Sequence, residues 1–162
     1  MNSTLSEVIR TVSGLLRTRG LTVSVAESCT GGLISHYLTT LPGASVFFVA
    51  GVVAYSAETK QKILGVSSGT IAQYGIISEE TAREMAEKMR VLSGTTLSLS
   101  TTGILGPDAL EGKEKGLVYV AVSREKKTFL KELHLQGERE RNKEEAAYEA
   151  LRFLAEIVET PE

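Results

Sequence analysis

The residue best suited to covalent chemistry is Ser28, which lies in a short glycine-rich turn. An apolar, β-branched run from Leu21 to Ala26 predicts a strand, and Gly31 and Gly32 predict a tight turn into a helix. A serine in such a turn can expose its hydroxyl beside free backbone N–H groups, which stabilise a developing negative charge. Ser28 is therefore a candidate nucleophile. The alternative, more common for this local pattern, is that Ser28 or Thr30 only caps the helix.

Lys60 is the second candidate, on a short predicted helix from Ala57 to Leu64 that follows an apolar run from Phe47 to Tyr55. If the two apolar runs form neighbouring strands, Lys60 can approach the loop that carries Ser28. A lysine acts as a base only after losing its proton, which requires a pKa lowered by burial or by nearby positive charge. The alternative is a solvated surface lysine, the usual state of this residue type. Lys62 points to a different side of the helix and is expected at the surface.

Three further side chains near these turns carry a hydroxyl or a thiol. Tyr55 ends the second apolar run, where an aromatic ring most often packs in the core. Thr102, which precedes Gly103 at the end of a third predicted strand, can hold an amine or a substrate group, and a turn role fits its position equally well. Cys29 is a competing nucleophile. A cysteine nucleophile usually needs a base such as histidine, and a free cysteine here is more often a small buried residue.

Other classes of site lack their residues in this chain. His36 and His134 have no metal-type spacing and no acidic partner near a serine, which argues against a metal site and against a Ser-His-Asp triad. The sequence contains neither a Walker motif nor a Gly-x-Gly-x-x-Gly turn. We therefore expect no metal and no cofactor. Arg139 and Arg141, at the start of the last predicted helix, are suited to clamp a phosphate, although a solvated salt-bridge face is the more usual role of such a run.

Length and composition are those of an ordinary globular domain. The 162 residues are 42% hydrophobic and 23% charged, with 18 basic and 20 acidic side chains and a net charge of −2. This balance makes nucleic acid an unexpected partner. The single cysteine cannot form an internal disulfide, the N-terminal residues lack a signal-peptide pattern, and the longest apolar stretch is shorter than the roughly 20 residues of a membrane helix. We expect one domain, residues 1–162, in the cytoplasm and away from membranes.

The spacing of apolar residues predicts the elements that position these candidates. Helical spacing marks residues 4–20, 31–41, a segment that begins at Ser78, and 138–160. Strand patterns mark residues 21–26, 47–55, 96–101, 117–124 and 127–135, of which the last two are expected to form a hairpin. The nearly continuous apolar character of 47–55 predicts a strand covered on both faces, and 65–77 is predicted as a Gly- and Ser-containing connection. This order predicts an α/β fold, a three-layer α/β/α sandwich with a mixed sheet.

Several motifs, taken in order along the chain, resemble one family. The set consists of Ala26-Glu27-Ser28-Cys29-Thr30-Gly31-Gly32, Gly51, Ala54-Tyr55-Ser56, Lys60, Ile77-Ser78-Glu79-Glu80, Met85-Ala86, Thr102-Gly103-Ile104 and Gly106-Pro107. Together these motifs resemble the CinA C-terminal domain, the nicotinamide-nucleotide amidohydrolase family, from about Leu21 to the last helix. Each motif alone is unspecific, whereas the ordered set is specific.

The resemblance implies a reaction and a role for each matched residue. The reaction is hydrolysis of the carboxamide of nicotinamide mononucleotide to nicotinic acid mononucleotide and ammonia, in bacterial pyridine-nucleotide salvage and without a metal. By position, Ser28 matches the nucleophile, Lys60 the catalytic lysine, and Tyr55 and Thr102 the supporting hydroxyl-bearing residues. Neutral Lys60 would take the Ser28 proton, and backbone N–H groups of the turn 28–32 would bind the oxyanion. We expect a homo-oligomer whose nucleotide substrate is bound by Thr30, Gly31, Gly32, Gly103, Arg139 and Arg141.

The loop after Thr102 departs from the family pattern. Leu105 stands where the family usually has alanine, Ala109 and Leu110 replace glycines, and the loop is one residue shorter. These changes leave open an alternative function for the chain, a nucleotide-binding or regulatory domain of the same fold that does not catalyse turnover.

The start of the last helix also departs from the family pattern, which resembles Gly-Asp-Arg followed by a second arginine. Glu138 replaces the aspartate and Arg139 matches the first arginine. The second arginine falls on Lys143 or, with a shift, on Arg141. The resemblance therefore leaves two candidates for the second cation.

Overall fold

A five-stranded sheet with helices on both faces forms the protein, for which a computed structural model describes residues 3–161. In chain order the elements are α1 (Ser3–Thr18), β1 (Val23–Glu27), α2 (Leu33–Leu38), β2 (Phe48–Val53), α3 (Ala57–Thr59), α4 (Ser68–Tyr74), α5 (Glu79–Ser93), β3 (Leu97–Gly103), β4 (Leu117–Arg124), β5 (Lys127–His134) and α6 (Arg139–Glu159). A 3-10 turn at Ala44–Val46 precedes β2, and a π turn at Lys60–Leu64 continues α3. The expected domain 1–162 extends to residues 1, 2 and 162, which lie outside the described residues.

The order of the strands brings the candidate residues to one edge of the sheet. The spatial order is β2-β1-β3-β4-β5. β1 runs parallel to both β2 and β3, whereas β3 with β4 and β4 with β5 are antiparallel. This confirms the predicted α/β fold with a mixed sheet. Because the carboxyl ends of β1, β2 and β3 lie side by side, the segments that follow Glu27, Val53 and Gly103 form one surface.

Amphipathic helices cover each face of the sheet, as a three-layer sandwich requires. α1, α2 and α6 pack on one face through an apolar cluster that includes Ile9, Val12, Leu16, Leu151 and Leu154. On the other face α5 buries its predicted stripe of Ala82, Met85, Ala86 and Met89. Removal of these stripes from water is the main driving force that docks the helices. Within the part of the chain that the structure describes, no helix is both long enough and apolar enough to cross a membrane.

One face of β2, which is an edge strand, is open to solvent, so the expectation that both of its faces are covered is wrong. Exposure alternates along the strand, and Val49 and Val53 are 52% and 48% exposed. β2 pairs with β1 on one side, and the short α2 leaves the two valines half open to solvent. A nearly continuous apolar run therefore does not distinguish an edge strand from a central one.

The connection 65–77 contains a helix, α4, that the sequence pattern does not predict. Ser67 caps its start, since its Oγ accepts a hydrogen bond from the Gly69 N–H at 3.2 Å, and Gly75 ends it. Residues of α4 are not buried, so its sequence carries no apolar stripe that marks a helix. The β4–β5 hairpin and the α5 and α6 helices lie where they are predicted.

Gly116, directly before β4, connects two other segments through its backbone. Its N–H donates to the Ile104 carbonyl oxygen at 2.6 Å, and its carbonyl accepts from the Leu135 N–H at 2.8 Å. The residue has φ +92°, and a Cβ added there would overlap the Leu135 carbonyl. Gly112 has a similar φ of +70° but open space around it. The two glycines therefore differ in crowding and share the left-handed backbone.

We predict that Gly116→Ala lowers the free energy of unfolding by roughly 3 kcal/mol, because a left-handed backbone costs about 1–2 kcal/mol and overpacking about 1–3 kcal/mol more. Gly112→Ala is the matched control and should lose only the backbone part, about 1–2 kcal/mol. Urea denaturation of the three proteins measures both losses. Equal losses would show that the overlap at Leu135 has no energetic effect.

Candidate active site

Ser28 begins the turn between β1 and α2, at the carboxyl end of the sheet. Glu27, directly before it, is fully buried. The Glu27 carboxylate accepts hydrogen bonds from the N–H groups of Gly32, Ile34 and Ser35 at 3.0, 3.1 and 2.8 Å. The first N–H groups of a helix have no partner within the helix, and Glu27 satisfies them from the strand side. The turn that carries Ser28 therefore has a fixed shape.

Lys60 is fully buried, and its amine lies against the Ser28 hydroxyl. Nζ forms three hydrogen bonds, to Ser28 Oγ at 3.0 Å, to the Ala54 carbonyl oxygen at 2.9 Å and to the Tyr55 carbonyl oxygen at 3.3 Å. A capping box at Ser56 starts α3, and the π turn begins at Lys60 itself. Such wide turns recur at functional sites, where they redirect a side chain. The structure thus brings together the two residues predicted to form the reactive pair.

Burial lowers the pKa of the Lys60 ammonium from 10.5 to about 8, because desolvation disfavours its charged form. A neutral amine here still donates to the carbonyls of Ala54 and Tyr55 and offers its lone pair to the Ser28 hydroxyl. In the protonated state a third N–H points to Ser28 Oγ instead. Loss of one proton therefore reverses this hydrogen bond and makes Lys60 an acceptor for the Ser28 proton, as a general base must be.

A cavity of about 310 Å³ opens beside Ser28, between the loops after β1, β2 and β3 and the start of α6. Its volume is at the lower end of the roughly 300–1,000 Å³ of small-molecule sites. Residues that line it include Ser28, Tyr55, Ile77, Thr102, Leu105 and Arg139. A larger hollow of about 500 Å³ lies between α1, α2 and α6 and is lined by other residues. We take the smaller cavity as the candidate site because Ser28, which contacts Lys60, borders it.

Tyr55 and Thr102 both line the cavity, and each hydroxyl is bonded away from the reactive pair. The Tyr55 hydroxyl accepts from Arg139 Nη2 at 2.9 Å, and the residue is 56% exposed rather than packed in the core. The Thr102 hydroxyl donates to the Ile76 carbonyl oxygen at 2.6 Å. Lys60 is thus held by the backbone carbonyl of Tyr55, not by either side chain that the resemblance assigns to its support.

Arg139 reaches the cavity, whereas Arg141 borders a separate hollow. The Arg139 guanidinium donates to the Gly106 carbonyl oxygen at 2.6 Å and to the Tyr55 hydroxyl at 2.9 Å, and so bridges the loops after β3 and β2. The hollow beside Arg141 is formed with residues that include His134 and Glu145. The structure therefore brings one of the two predicted arginines to Ser28 and leaves the other apart.

Lys143 lies one helical turn after Arg139 and faces the Ser28 turn. Its Nζ is 3.1 Å from the position that a Cβ on Gly31 would occupy. Of the two candidates for the second cation, Lys143 is therefore the one beside the turn that carries Ser28. Residues i and i+4 of a helix lie on the same face. Arg139 and Lys143 are four residues apart, so both lie on the side of α6 that faces the loops around Ser28.

Gly31 and Gly32 give the turn its shape. Their φ values of 59° and 98° are left-handed, which explains why α2 begins at Leu33 instead of at residue 31 as predicted. The Gly31 N–H donates to the Ser28 carbonyl oxygen at 3.0 Å, and the Gly32 N–H donates to Glu27. Both groups are therefore engaged within the turn, and the other backbone donors after Ser28 are those of Cys29 and Thr30.

Thr30 and Gly103, both predicted to bind substrate, have structural contacts. The Thr30 hydroxyl is buried, donates to Glu27 Oε2 at 2.6 Å and lies 2.8 Å from Thr101 Oγ1. A Cβ on Gly103 would come within 2.6 Å of the Leu117 carbonyl oxygen, so glycine allows β3 to pair closely with β4. The Thr30 hydroxyl faces the protein interior, while Gly103 also lines the cavity.

The surroundings of Cys29 disfavour a thiol nucleophile. Burial raises the pKa of the Cys29 thiol to about 12, so the thiolate that would attack is scarce near neutral pH. His36 borders the larger hollow, and His134 pairs with Glu132 on β5, so neither histidine supplies a base for it. Among residues 3–161, no three His, Cys, Asp or Glu side chains are grouped so that they could hold a metal ion.

Two fully buried residues, Glu27 and Asn142, shape the site although the sequence analysis assigned them no role. Asn142 Nδ2 donates to the carbonyl oxygens of Leu105 and Gly137 at 2.9 Å each, which ties the loop after β3 to the start of α6. An acidic residue between an apolar strand and a glycine-rich turn is a signal that could have found Glu27. Asn142 follows a run of charged residues, and that run is typical of a solvated helix face.

The chain matches the family described as the CinA C-terminal domain over residues 5–158. A competence-damage inducible protein of Caldanaerobacter subterraneus subsp. tengcongensis is 50% identical over 136 residues, which are 83% of this chain and 33% of that protein. A CinA-like protein of Kosmotoga olearia is 45% identical over 144 residues, which are 88% of this chain and 35% of that protein. The chain thus spans about a third of the length of the curated relatives it matches.

Crystal structures of related proteins have the same fold. A CinA superfamily protein from Klebsiella pneumoniae aligns with a TM-score of 0.93 at 28% identity, over 98% of each chain. The competence/damage inducible protein CihA from Agrobacterium tumefaciens aligns with a TM-score of 0.92 at 31% identity, over 97% of each chain. Both alignments extend over almost the whole of each chain, so they include the sheet and the loops around Ser28.

We predict that the buried lysine makes the protein less stable below pH 8 than above it. The pKa of Lys60 is about 8 in the folded state and 10.5 as a free side chain, so between these values the unfolded chain binds more protons. The free energy of unfolding therefore rises with pH through this window. Burial of the charged Lys60 destabilises the protein by roughly 3 kcal/mol below pH 8, and this penalty is lost as the pH approaches 10.5.

Comparison with Lys60→Met isolates this contribution, since the variant lacks the titrating group and is similar in length. Urea denaturation from pH 7 to pH 10.5 should show a stability difference between the two proteins that narrows as the pH rises, with Lys60→Met the more stable at pH 7. A difference that stays constant over this range would mean that the pKa of Lys60 is not lowered.

Proposed function

Because the chain belongs to the CinA C-terminal domain family, we propose that it is an amidohydrolase that converts nicotinamide mononucleotide to nicotinic acid mononucleotide and ammonia. The observation that carries this proposal is the 3.0 Å hydrogen bond between Lys60 Nζ and Ser28 Oγ beside a cavity. The pair supplies a nucleophile and a base whose pKa of about 8 leaves it partly neutral near neutral pH. The choice of substrate comes from the family resemblance.

In the first half of the reaction Ser28 becomes acylated. Neutral Lys60 accepts the Ser28 proton while Oγ forms a bond to the carboxamide carbon, which leaves an oxyanion on the former carbonyl oxygen. The N–H groups of Cys29 and Thr30 would bind this oxyanion, since those of Gly31 and Gly32 are engaged within the turn. The new Lys60 ammonium stays in place through its bonds to the two carbonyls that follow β2.

The intermediate then loses ammonia and is hydrolysed. Lys60 returns the proton to the leaving nitrogen, the C–N bond breaks, and ammonia departs from the Ser28 ester. Water next attacks the ester carbon and gives a proton to Lys60, and this proton passes to Ser28 Oγ as the acid is released. The cycle consumes one water for each carboxamide cleaved and leaves both residues in their starting states.

We infer that the phosphate of the nucleotide lies outside the reactive end of the cavity, toward Arg139 and Lys143. The cavity is small, so it fits the nicotinamide end of the substrate more readily than the whole nucleotide. Arg139 borders it, and a guanidinium has five N–H donors, of which the bonds to Gly106 and Tyr55 use two. Binding of a remote phosphate in this way would position the carboxamide over Ser28.

We predict that Ser28→Ala abolishes ammonia release from nicotinamide mononucleotide, with kcat reduced by roughly a thousandfold or more, because no other group replaces the nucleophile. Cys29→Ala, which changes the neighbouring candidate, should keep kcat within about threefold of the unsubstituted protein. Urea denaturation verifies that both variants are folded. An inactive Cys29→Ala together with an active Ser28→Ala would reverse the assignment, and a folded, nucleotide-binding but inactive parent protein would support the non-catalytic domain.

We predict that Lys60→Arg is as inactive as Lys60→Met, since arginine keeps the charge and cannot give up its proton. In the unsubstituted protein kcat should rise with pH and level off above about 8, where Lys60 becomes neutral. Steady-state assays from pH 6 to pH 9.5 follow this curve. A rate that is flat over the whole range would remove Lys60 as the base.

We predict that Arg139→Ala lowers kcat/KM for nicotinamide mononucleotide by about tenfold to a hundredfold, the value of a charge-assisted contact, and hardly changes that for the riboside, which has no phosphate. Arg141→Ala is the matched control on the same helix and should leave both values unchanged. Equal losses on the two substrates would make Arg139 structural. A loss confined to Arg141→Ala would move the phosphate to the other hollow.

A further inference from the structure

We propose that Glu27 is a positioning residue for the reaction, one that holds Ser28 at Lys60 by fixing the residues on both sides of the nucleophile. This inference rests on the proposed role of Ser28. It goes beyond that role because Glu27 itself touches neither the Lys60 amine nor the cavity among the contacts that the structure describes.

The Glu27 carboxylate is fully buried and is satisfied by five hydrogen bonds from neutral groups. Three are the backbone N–H groups at the start of α2 described above, and two are hydroxyls, Thr30 Oγ1 at 2.6 Å and Ser35 Oγ at 2.8 Å. A buried carboxylate is costly unless such donors surround it. The two carboxylate oxygens of Glu27 fix the conformation of the turn directly after it. A neutral amide side chain has only one oxygen and could not accept as many hydrogen bonds.

The Thr30 hydroxyl connects Glu27 to β3, because it bonds both the Glu27 carboxylate and the Thr101 hydroxyl. The Thr30 hydroxyl donates its single proton to Glu27 Oε2. The Thr30 oxygen is then left to accept from the hydroxyl of Thr101, 2.8 Å away on β3. The residues before and after the Ser28-Cys29 pair are thereby tied to α2 and to the central strand. The Ser28 hydroxyl remains bonded to Lys60.

A second buried hydroxyl cluster at the opposite end of the sheet supplies a matched control. Thr95 Oγ1 lies 2.9 Å from both Ser24 Oγ and Ser93 Oγ and is 4% exposed. Thr95 and Thr30 are therefore both buried threonines whose hydroxyl has two polar contacts, and Thr95 lies beside no reactive pair. Removal of the Thr30 hydroxyl should cost more stability, because its bond to the Glu27 carboxylate is charge-assisted, but only the loss at Thr30 should move Ser28.

The experiment compares Glu27→Gln, Thr30→Val, Thr30→Ser and Thr95→Val with the unsubstituted protein. Each is assayed for kcat and KM with nicotinamide mononucleotide, for the rate at which a fluorophosphonate probe labels Ser28, and for stability in urea. Displacement of a reacting group by about 1 Å can lower the reaction rate about a hundredfold. We therefore expect Glu27→Gln and Thr30→Val to lose about tenfold or more in kcat and in the rate of labelling. KM should change little, and Thr30→Ser, which keeps the hydroxyl, should recover most of the rate.

The result that overturns the inference is a labelling rate and kcat in Thr30→Val that equal those in Thr95→Val when urea denaturation shows both variants to be folded. The same conclusion follows if Glu27→Gln is folded and fully active. Failure of the proposed function has a different signature, since the unsubstituted protein would then be labelled at Ser28 but release no ammonia from the nucleotide. In that case the labelling rates of the variants still decide the role of Glu27.

Discussion

The hydrogen bond between Lys60 and Ser28 depends on two backbone carbonyls that the end of β2 leaves without strand partners. A fully buried lysine needs acceptors, and the carbonyls of Ala54 and Tyr55 provide two of them. The third contact of the amine exists because β1 and β2 are parallel neighbours, so that Ser28 and the segment after Val53 emerge at the same edge. The reactive pair is thus a product of strand order, with residues 32 positions apart in sequence meeting where two strands stop.

The surrounding elements serve mainly to keep the loops at this edge in place. Glu27 holds the turn into α2, Asn142 ties the loop after β3 to α6, and Arg139 connects that loop to Tyr55, which follows β2. Except for the bond between Arg139 and the Tyr55 hydroxyl, these contacts involve backbone atoms, so they constrain the path of the chain directly. The cavity is consequently formed by loops whose positions follow from the sheet and from one face of α6.

Much of the fold could be predicted because helices and strands with one buried face have a periodic apolar pattern. The stripes of α1, α5 and α6 follow this rule. α4 could not be predicted in this way, because none of its residues is buried. The prediction for β2 was wrong because an edge strand with one exposed face can have the same apolar composition as a covered strand. The motifs indicated Ser28, Lys60 and Arg139, and the structure brings these three to one region.

What the sequence could not give is which atoms of a residue matter. Tyr55 was chosen for its hydroxyl, yet the atom that contacts Lys60 is its carbonyl oxygen, and Thr30 was chosen for substrate although its hydroxyl faces Glu27. Likewise Arg141 and Lys143 were equivalent until the orientation of α6 separated them. Backbone hydrogen bonding and helix rotation depend on the assembled tertiary structure, and neither leaves a signal in the local pattern.

The burial of Lys60 has a consequence for how this chain can be improved by substitution. A charged group placed in the core opposes folding at neutral pH, so a stability-based search would select an apolar residue at position 60. Glu27 differs, because five hydrogen bonds offset its burial and satisfy the start of α2. Engineering for heat resistance at position 60 would therefore remove the base that the proposed reaction needs. Stabilising changes belong instead on the surface away from the carboxyl ends of the strands, such as the exposed Val91 of α5, which no proposed step of the reaction uses.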